Sequence, residues 1–366
     1  MDQTAAPRVD ILDSAKGLGI LAVVLGHAGS PVTGFVYLYH MALFFFISGC
    51  LYNDRYTNDP WALVQRRVRT LYLPFAAYGV FFGLLHNVFF RFNIYSEQVE
   101  SLHNKVFYFD TSREFIVNLA KILAFVKVEQ ILAPLWFLPI LFIVNILFVL
   151  AASGIHKLGL RWAEWWLAAA IAAMFCIGYA FYPENNFVLR PISIALVAAS
   201  MYYFGYLYKK HGHALPLTFG YAAACFTVLM IALYFVDSRI DTAAHEYISP
   251  PYYLAVSLCG IYLNLSLAKA LGSVPVLGSF LRTAGKNSLA IMALHLISFK
   301  AINYVQVRTY DLPPYLLGKH FIVSPENGWW LAYVVAGMLL PLGIVAVYER
   351  VRQMIGQESR STPVPG

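Results

Sequence analysis

Long apolar runs separated by short polar connections recur along the whole chain. Taking about 20 residues as the length that crosses a bilayer, ten runs qualify, at approximately 12–29, 35–52, 71–90, 134–153, 164–182, 191–208, 215–236, 251–270, 287–305 and 329–349. Their apolar positions are continuous, not alternating. Backbone groups in lipid must be paired within each segment, so this pattern predicts helices and not the strands of a closed barrel. The expected fold class is an all-α polytopic membrane protein, a bundle of about ten transmembrane helices. One membrane domain over 1–355 takes in every run, and 356–366 reads as a polar tail.

Composition agrees, with 60% hydrophobic and only 12% charged residues, which excludes an ordinary soluble protein. Orientation follows from Lys and Arg, which stay cytoplasmic near span ends. Arg8, Lys16, Arg55, Arg66, Arg67, Arg69, Lys157, Arg161, Lys209, Lys210, Lys269, Arg282, Lys286, Arg350, Arg352 and Arg360 fall on one side, against Arg190, Arg239, Arg308 and Lys319 in short loops on the other. Both termini are therefore expected in the cytoplasm. The net charge of +7 belongs to those loops meeting anionic lipid and is no sign of nucleic-acid binding. Trp61, Trp162, Trp165, Trp166, Trp329 and Trp330, near span ends, fit interfacial belts.

The long connection 91–133 has a pattern of its own. Glu114, Asn118 and Lys121 share one face among Ile116, Val117, Leu119, Ile122, Leu123 and Phe125, predicting an amphipathic helix that lies at the interface or dips into the bundle. The first run, holding Lys16 and His27 and lacking a small-residue cleavage pattern, reads as a retained span and not a signal peptide. Cys50, Cys176, Cys225 and Cys259 lie inside spans at unrelated spacings, as packing residues do, and suggest neither a disulfide framework nor a zinc site.

Ionisable residues inside apolar runs carry the functional signal, because a central Lys costs about 2.5 to 3.5 kcal/mol to insert. Lys16 and His27 are eleven residues apart. At 3.6 residues per turn both leave one helix face, about 16 Å apart along the axis. Lys16 alone would also fit a lysine snorkelling to the headgroups. His27 and His40 come out at similar depth on neighbouring antiparallel spans, where the two can meet, and His295 enters nearer the middle. One such histidine is commonly a structural hydrogen-bonding group; three in one bundle point to a polar cavity. No short-range ligand spacing supports a metal.

After the second run comes Gln65-Arg66-Arg67-Val68-Arg69-Thr70-Leu71-Tyr72-Leu73-Pro74, in which Arg66 and Arg69 would share a helix face and offer two forked guanidiniums to phosphate. Topology alone also explains such residues. Combined with Lys16, they suit the charged nucleotide end of an acyl donor of the coenzyme A type, whose thin arm would reach toward His27. Gly17-Leu18-Gly19-Ile20-Leu21-Ala22 matches a dinucleotide pattern only by letter, since it lies within a span with no strand before it. Serine-hydrolase elbows and Walker sequences do not occur.

These residues resemble the membrane-bound acyltransferase family 3, in particular the branch similar to fucose 4-O-acetylases. The most specific likeness is a basic residue separated by ten residues from a histidine, Lys16 to His27 after Asp13, followed by Arg66-x-x-Arg69 with its Leu-Tyr-Leu-Pro run. His40-Met41-Ala42-Leu43-Phe44-Phe45-Phe46-Ile47-Ser48-Gly49, Leu135-Trp136-Phe137-Leu138 and Gly285-Lys286-Asn287-Ser288 leading to His295 support it. Ala42 departs from the pattern, where relatives often carry Pro. An esterase-like domain that some relatives carry after the last span is not read here, so this one domain is expected to complete the transfer.

The resemblance implies acetyl transfer from cytoplasmic acetyl-CoA to a sugar hydroxyl of an exopolysaccharide, a surface glycan or a lipid-linked precursor at a bacterial inner membrane. His27 would act as base, with His40 orienting the sugar or donating to the developing oxyanion. Lys16, Arg66 and Arg69 would hold donor phosphates, with Asp13 fixing Lys16. Trp136, Asn287 and His295 would stand around the substrates. Direct transfer and an acetyl-histidine intermediate remain equally compatible. The partners implied are a glycan acceptor and membrane lipids, without nucleic acid or metal; a homo-oligomer is compatible with the sequence. The competing class is a glycan or lipid-linked precursor transporter using the same cavity without chemistry.

Overall fold

The computed structural model describes residues 5–99, 105–184, 186, 188–212, 215–236 and 240–361. Arg239 and the last five residues of the expected tail lie outside them. Among the described residues the chain is helical, with one isolated bridge between Asp241 and Glu246 and no strand. Each of the ten apolar runs coincides with helix, and seven helices are long and apolar enough to cross a membrane. The fold is that of an all-α polytopic membrane protein.

The first run is one helix, α1 (Ala5–His27). The second is two, α2 (Thr33–Tyr37) and α3 (His40–Cys50). At this break the backbone shortens to three-residue bonds from Leu38 to Phe35 and from Tyr39 to Val36, and His40 Nδ1 donates to the carbonyl of Val36 at 2.8 Å. A side chain that takes a helical carbonyl competes with the helix itself. After α4 (Arg55–Asn58) and α5 (Pro60–Arg67), a π-helical turn at Val68–Tyr72 leads into α6 (Leu73–Leu84) and α7 (His86–Arg91), so the third run is interrupted as well.

The amphipathic helix of the long connection is α8 (Ser112–Leu123), started by a capping box in which Thr111 and Glu114 satisfy each other's backbone N–H. It packs against α6, with Ile122 fully buried against Gly79, while Ile116 and Val117 face outward. Behind it Glu129 closes a buried cluster: it accepts from His86 Nδ1 at 2.9 Å, Asn118 Nδ2 at 2.7 Å and the Tyr95 hydroxyl at 3.2 Å, and His86 Nε2 donates to Phe107 O at 2.9 Å. This cluster ties the connection to the bundle.

A 3₁₀ segment, Gln130–Trp136, opens α9 (Phe137–Lys157), followed by α10 (Ala163–Ala180), α11 (Leu189–His211), α12 (Phe219–Phe235) and α13 (Pro250–Gly272). Then come α14 (Pro275–Lys286), a short amphipathic helix that hydropathy alone does not signal, α15 (Ser288–Thr309) and α16 (Trp329–Ser361). Two helix pairs touch backbone to backbone through a glycine on each side. Gly49 of α3 and Gly205 of α11 each face the other's main chain, and Gly17 of α1 faces Leu281 O of α14 while Gly285 of α14 faces Asp13 O of α1. In lipid, where apolar burial drives association weakly, such small-residue contacts let dispersion hold helices together. Apolar residues of α10, α12 and α16, such as Ile177, Ile231 and Leu339, stay exposed as a lipid-facing surface.

Candidate active site

Two positions on α1 carry the candidate site, one at its middle and one at its C-terminal end. At mid-helix Lys16 Nζ donates to Asp13 Oδ1 at 2.8 Å, both side chains partly exposed. Because Gly17 and Gly285 bring α14 against this stretch, the pair sits on a rigid two-helix platform. Eleven residues on, His27 ends α1 and is half-buried.

His27 Nδ1 lies 2.8 Å from Nε2 of His295, and the rings are nearly coplanar at 2°. His295 Nδ1 is 2.9 Å from Ile291 O. A carbonyl only accepts, so His295 carries its proton on Nδ1; its neutral ring then has a lone pair at Nε2. His27 must donate to that lone pair from Nδ1, which leaves His27 Nε2 unprotonated. The buried histidine thereby sets the tautomer of the accessible one.

The hydrogen-bond partner of His27 is His295, and among the described residues no hydrogen bond or ring contact joins His27 to His40. His40, buried beside the Tyr37 ring at 4.9 Å, donates from Nδ1 to Val36 O, so its neutral ring also keeps a lone pair at Nε2. That atom can accept from a hydroxyl but cannot donate to an oxyanion. Phe321 covers the His27 ring at 4.6 Å, and His320 stacks on Phe321 at 3.8 Å. Burial first, and then the charge of Lys300, hold the His320 imidazole down to about 4, so it is neutral at ordinary pH.

The arginines form a separate cluster. Arg66 donates to the Tyr56 hydroxyl at 3.0 Å and Arg55 donates to the same oxygen at 2.9 Å. Arg69 is exposed within the π-helical turn, so the spacing from Arg66 crosses a change of helix type and the two do not sit on one regular helix face. Arg67 turns inward, its Nε donating to Asn145 Oδ1 at 2.9 Å, an oxygen that the Tyr202 hydroxyl also reaches at 3.0 Å. Among the described residues no hydrogen bond or ion pair joins this cluster to Lys16.

Trp136 ends the 3₁₀ segment that packs on α15, and the ring of its neighbour Phe137 meets Phe44 edge-on and Phe45 at a tilt, both on α3. Asn287 belongs to the Lys16 end: it follows Gly285 at the start of α15 and donates to Thr283 O at 3.0 Å. It is two helical turns from His295 and stands away from the imidazole pair.

Residues absent from the sequence reading include Lys300, His86, Tyr56 and Phe321. Lys300 and His86 are ionisable groups within apolar runs, so the rule that singled out Lys16 would have found them. Tyr56 and Phe321 carry no local signal, since only tertiary packing brings them to their partners.

The fold is a helical membrane bundle that holds a half-buried imidazole against a fully buried one. The chain matches the family described as acyltransferase domain, acyltransferase family 3, over residues 9–348, and it belongs to that family. No curated protein and no solved structure gives a significant match.

Proposed function

We propose that this family member is an O-acetyltransferase that moves an acetyl group from cytoplasmic acetyl-CoA to a sugar hydroxyl of an exopolysaccharide, surface glycan or lipid-linked precursor. The observation that carries the proposal is the chain from Ile291 O through His295 to His27, which leaves an unprotonated Nε2 on a half-buried ring. A base of this kind takes the hydroxyl proton as the oxygen attacks the thioester carbonyl, and returns it to the departing thiolate of coenzyme A. The same nitrogen can instead be acetylated first and then give the acetyl to the alcohol. His40 Nε2, as an acceptor, orients the sugar hydroxyl.

Lys16, with Asp13 beside it, and Arg66 and Arg69 receive the donor's phosphates. For Arg66 the surroundings fit: its guanidinium and that of Arg55 converge on the phenol oxygen of Tyr56, an arrangement that an anion would neutralise, while Arg69 stands exposed in the following turn. In this reading both termini and the donor are cytoplasmic, the acceptor arrives from the His27 end, and the protein resides in a bacterial inner membrane. Trp136 and Asn287 flank the two ends of the path.

Protein purified in detergent and supplied with radiolabelled acetyl-CoA should release coenzyme A and pass label to a glycan acceptor. His27→Ala should remove this turnover while the protein still inserts. Undiminished turnover by well-folded His27→Ala protein would refute the assignment, and redistribution of a glycan without label transfer would make the protein a carrier.

A further inference from the structure

Between α15 and α16 the chain does not simply cross the surface. After a 3₁₀ turn at Pro314–Gly318, residues 319–324 run as a non-helical strap along a polar stripe of α15. Lys300, almost fully buried, donates to Leu317 O at 3.0 Å and Lys319 O at 2.8 Å. Asn303 Nδ2 reaches Leu317 O and Phe321 O, each at 3.4 Å, and its Oδ1 accepts from Val323 N at 3.3 Å. Gln306 pairs with both backbone groups of Ser324, at 2.9 and 3.2 Å. From α16 the buried Tyr333 hydroxyl donates between Asn303 Oδ1 and Gln306 Oε1 and accepts from Val323 N at 3.2 Å.

Three buried polar residues on one membrane helix are costly unless they serve something. Here they satisfy the backbone of a segment that could not otherwise lie within the bundle. The strap also holds Phe321 at a φ of +63°, a left-handed conformation that a bulky L-residue avoids. The result of that strain is a ring laid against the His27 imidazole, centroids 4.6 Å apart and planes tilted by 34°. The turn after His27 is shaped to receive it: at Gly29, with φ +63°, an added Cβ would lie 2.9 Å from Ile322 and 3.0 Å from Pro325.

We infer that Phe321 is a positioning residue for His27, held in place by the Lys300–Asn303–Gln306 anchor, so that one ring face is closed and the Nδ1 edge stays turned to His295. The inference rests on His27 being the base of the proposed transfer. His295 fixes one edge of the imidazole and Phe321 blocks the rotation that would break that bond. Lys300 acts only through the strap.

The test uses full-length protein in detergent and reads His27 in two ways. First, carbethoxylation of the His27 peptide by diethyl pyrocarbonate, followed by mass spectrometry, reports ring exposure without any acyl substrate. Phe321→Gly removes the ring while relieving the left-handed backbone, so loss of folding is not expected, and the modification rate should rise at least tenfold. Lys300→Met should do the same with Phe321 intact, and Phe321→Tyr should restore the slow rate. Second, with radiolabelled acetyl-CoA, Phe321→Gly should lower kcat at least tenfold with little change in donor KM, again restored by Phe321→Tyr. Unchanged carbethoxylation and unchanged kcat in Phe321→Gly would overturn the inference, even if His27→Ala is inactive. Should His27→Ala remain active, the transfer reading fails separately, and the carbethoxylation rates still judge whether the strap seats the ring.

Discussion

His27 and His295 share one proton bridge of 2.8 Å, and its direction is fixed from the far side by the carbonyl of Ile291. The consequence is directional: a fully buried ring determines which nitrogen of a half-buried ring is free. If His27 is the base of the proposed transfer, His295 takes the part of the orienting member of a catalytic triad, with a neutral imidazole in place of a carboxylate. His295→Leu should therefore lower kcat by about 100-fold or more, because general-base catalysis is worth about 10²–10⁴. His295→Gln, which retains an acceptor oxygen, should recover part of it. Initial rates of label release from acetyl-CoA decide the matter, and a His295→Leu protein as fast as wild type would show that the bridge does not orient the base.

The Glu129 cluster predicts how stability depends on acidity. Burial alone would raise the Glu129 carboxyl, but the hydrogen bond and charge of His86, with Asn118 and Lys127, outweigh it and hold the group below its ordinary value of 4.5. A carboxyl depressed in the folded state adds stability that is present above its unfolded value and lost as pH falls through the folded value. Thermal unfolding in detergent should thus weaken below about pH 4.5 in wild type. Glu129→Gln should flatten this dependence in that window. His86→Leu, leaving a buried carboxylate without its partner, should cost about 3–5 kcal/mol at neutral pH.

Apolar runs such as 164–182, 191–208 and 251–270 announce helices because length and hydropathy are properties of the residues themselves. The observed helices α10, α11 and α13 follow them to within a few residues. The breaks in the second and third runs are hidden for the opposite reason. They depend on which carbonyl His40 takes and on the cluster beside His86, and hydropathy contains no hydrogen-bond partners. The site divides in the same way. The eleven-residue spacing of Lys16 and His27 and the pairing of Asp13 with Lys16 follow from helix geometry, whereas the bond from His27 to His295 joins residues 268 apart. Depth counting favoured His40 as the near neighbour because it treats each span as straight and unbroken, and α2–α3 is neither.

The Tyr56 hydroxyl, accepting from two arginines at once, fixes guanidiniums that would otherwise sweep freely at the membrane surface. Tyr56→Phe keeps the ring and removes only that oxygen. If Arg66 binds donor phosphate, the variant should raise the KM for acetyl-CoA by about fivefold, the equivalent of roughly 1 kcal/mol, with kcat little changed. A KM unaltered by Tyr56→Phe would detach this cluster from donor binding.

Packing of α14 on α1 offers a prediction that needs no substrate. An added Cβ at Gly285 would run into the backbone of Asp13, and a backbone cannot rotate aside as a side chain can. Gly285→Ala must push α14 off α1, at a cost of about 1–3 kcal/mol. Gly154, inside α9, has nothing within 4 Å of such a Cβ. There the same substitution should stabilise by up to about 1 kcal/mol, since alanine loses less freedom in a helix. Opposite shifts in thermal unfolding midpoint, measured in one detergent, are the expected result. The Gly285→Ala shift should be accompanied by a raised donor KM, because separating the helices displaces the ground on which Asp13 and Lys16 stand. Stabilisation by Gly285→Ala would mean that the two helices do not meet backbone to backbone, and the platform for Lys16 would go with them.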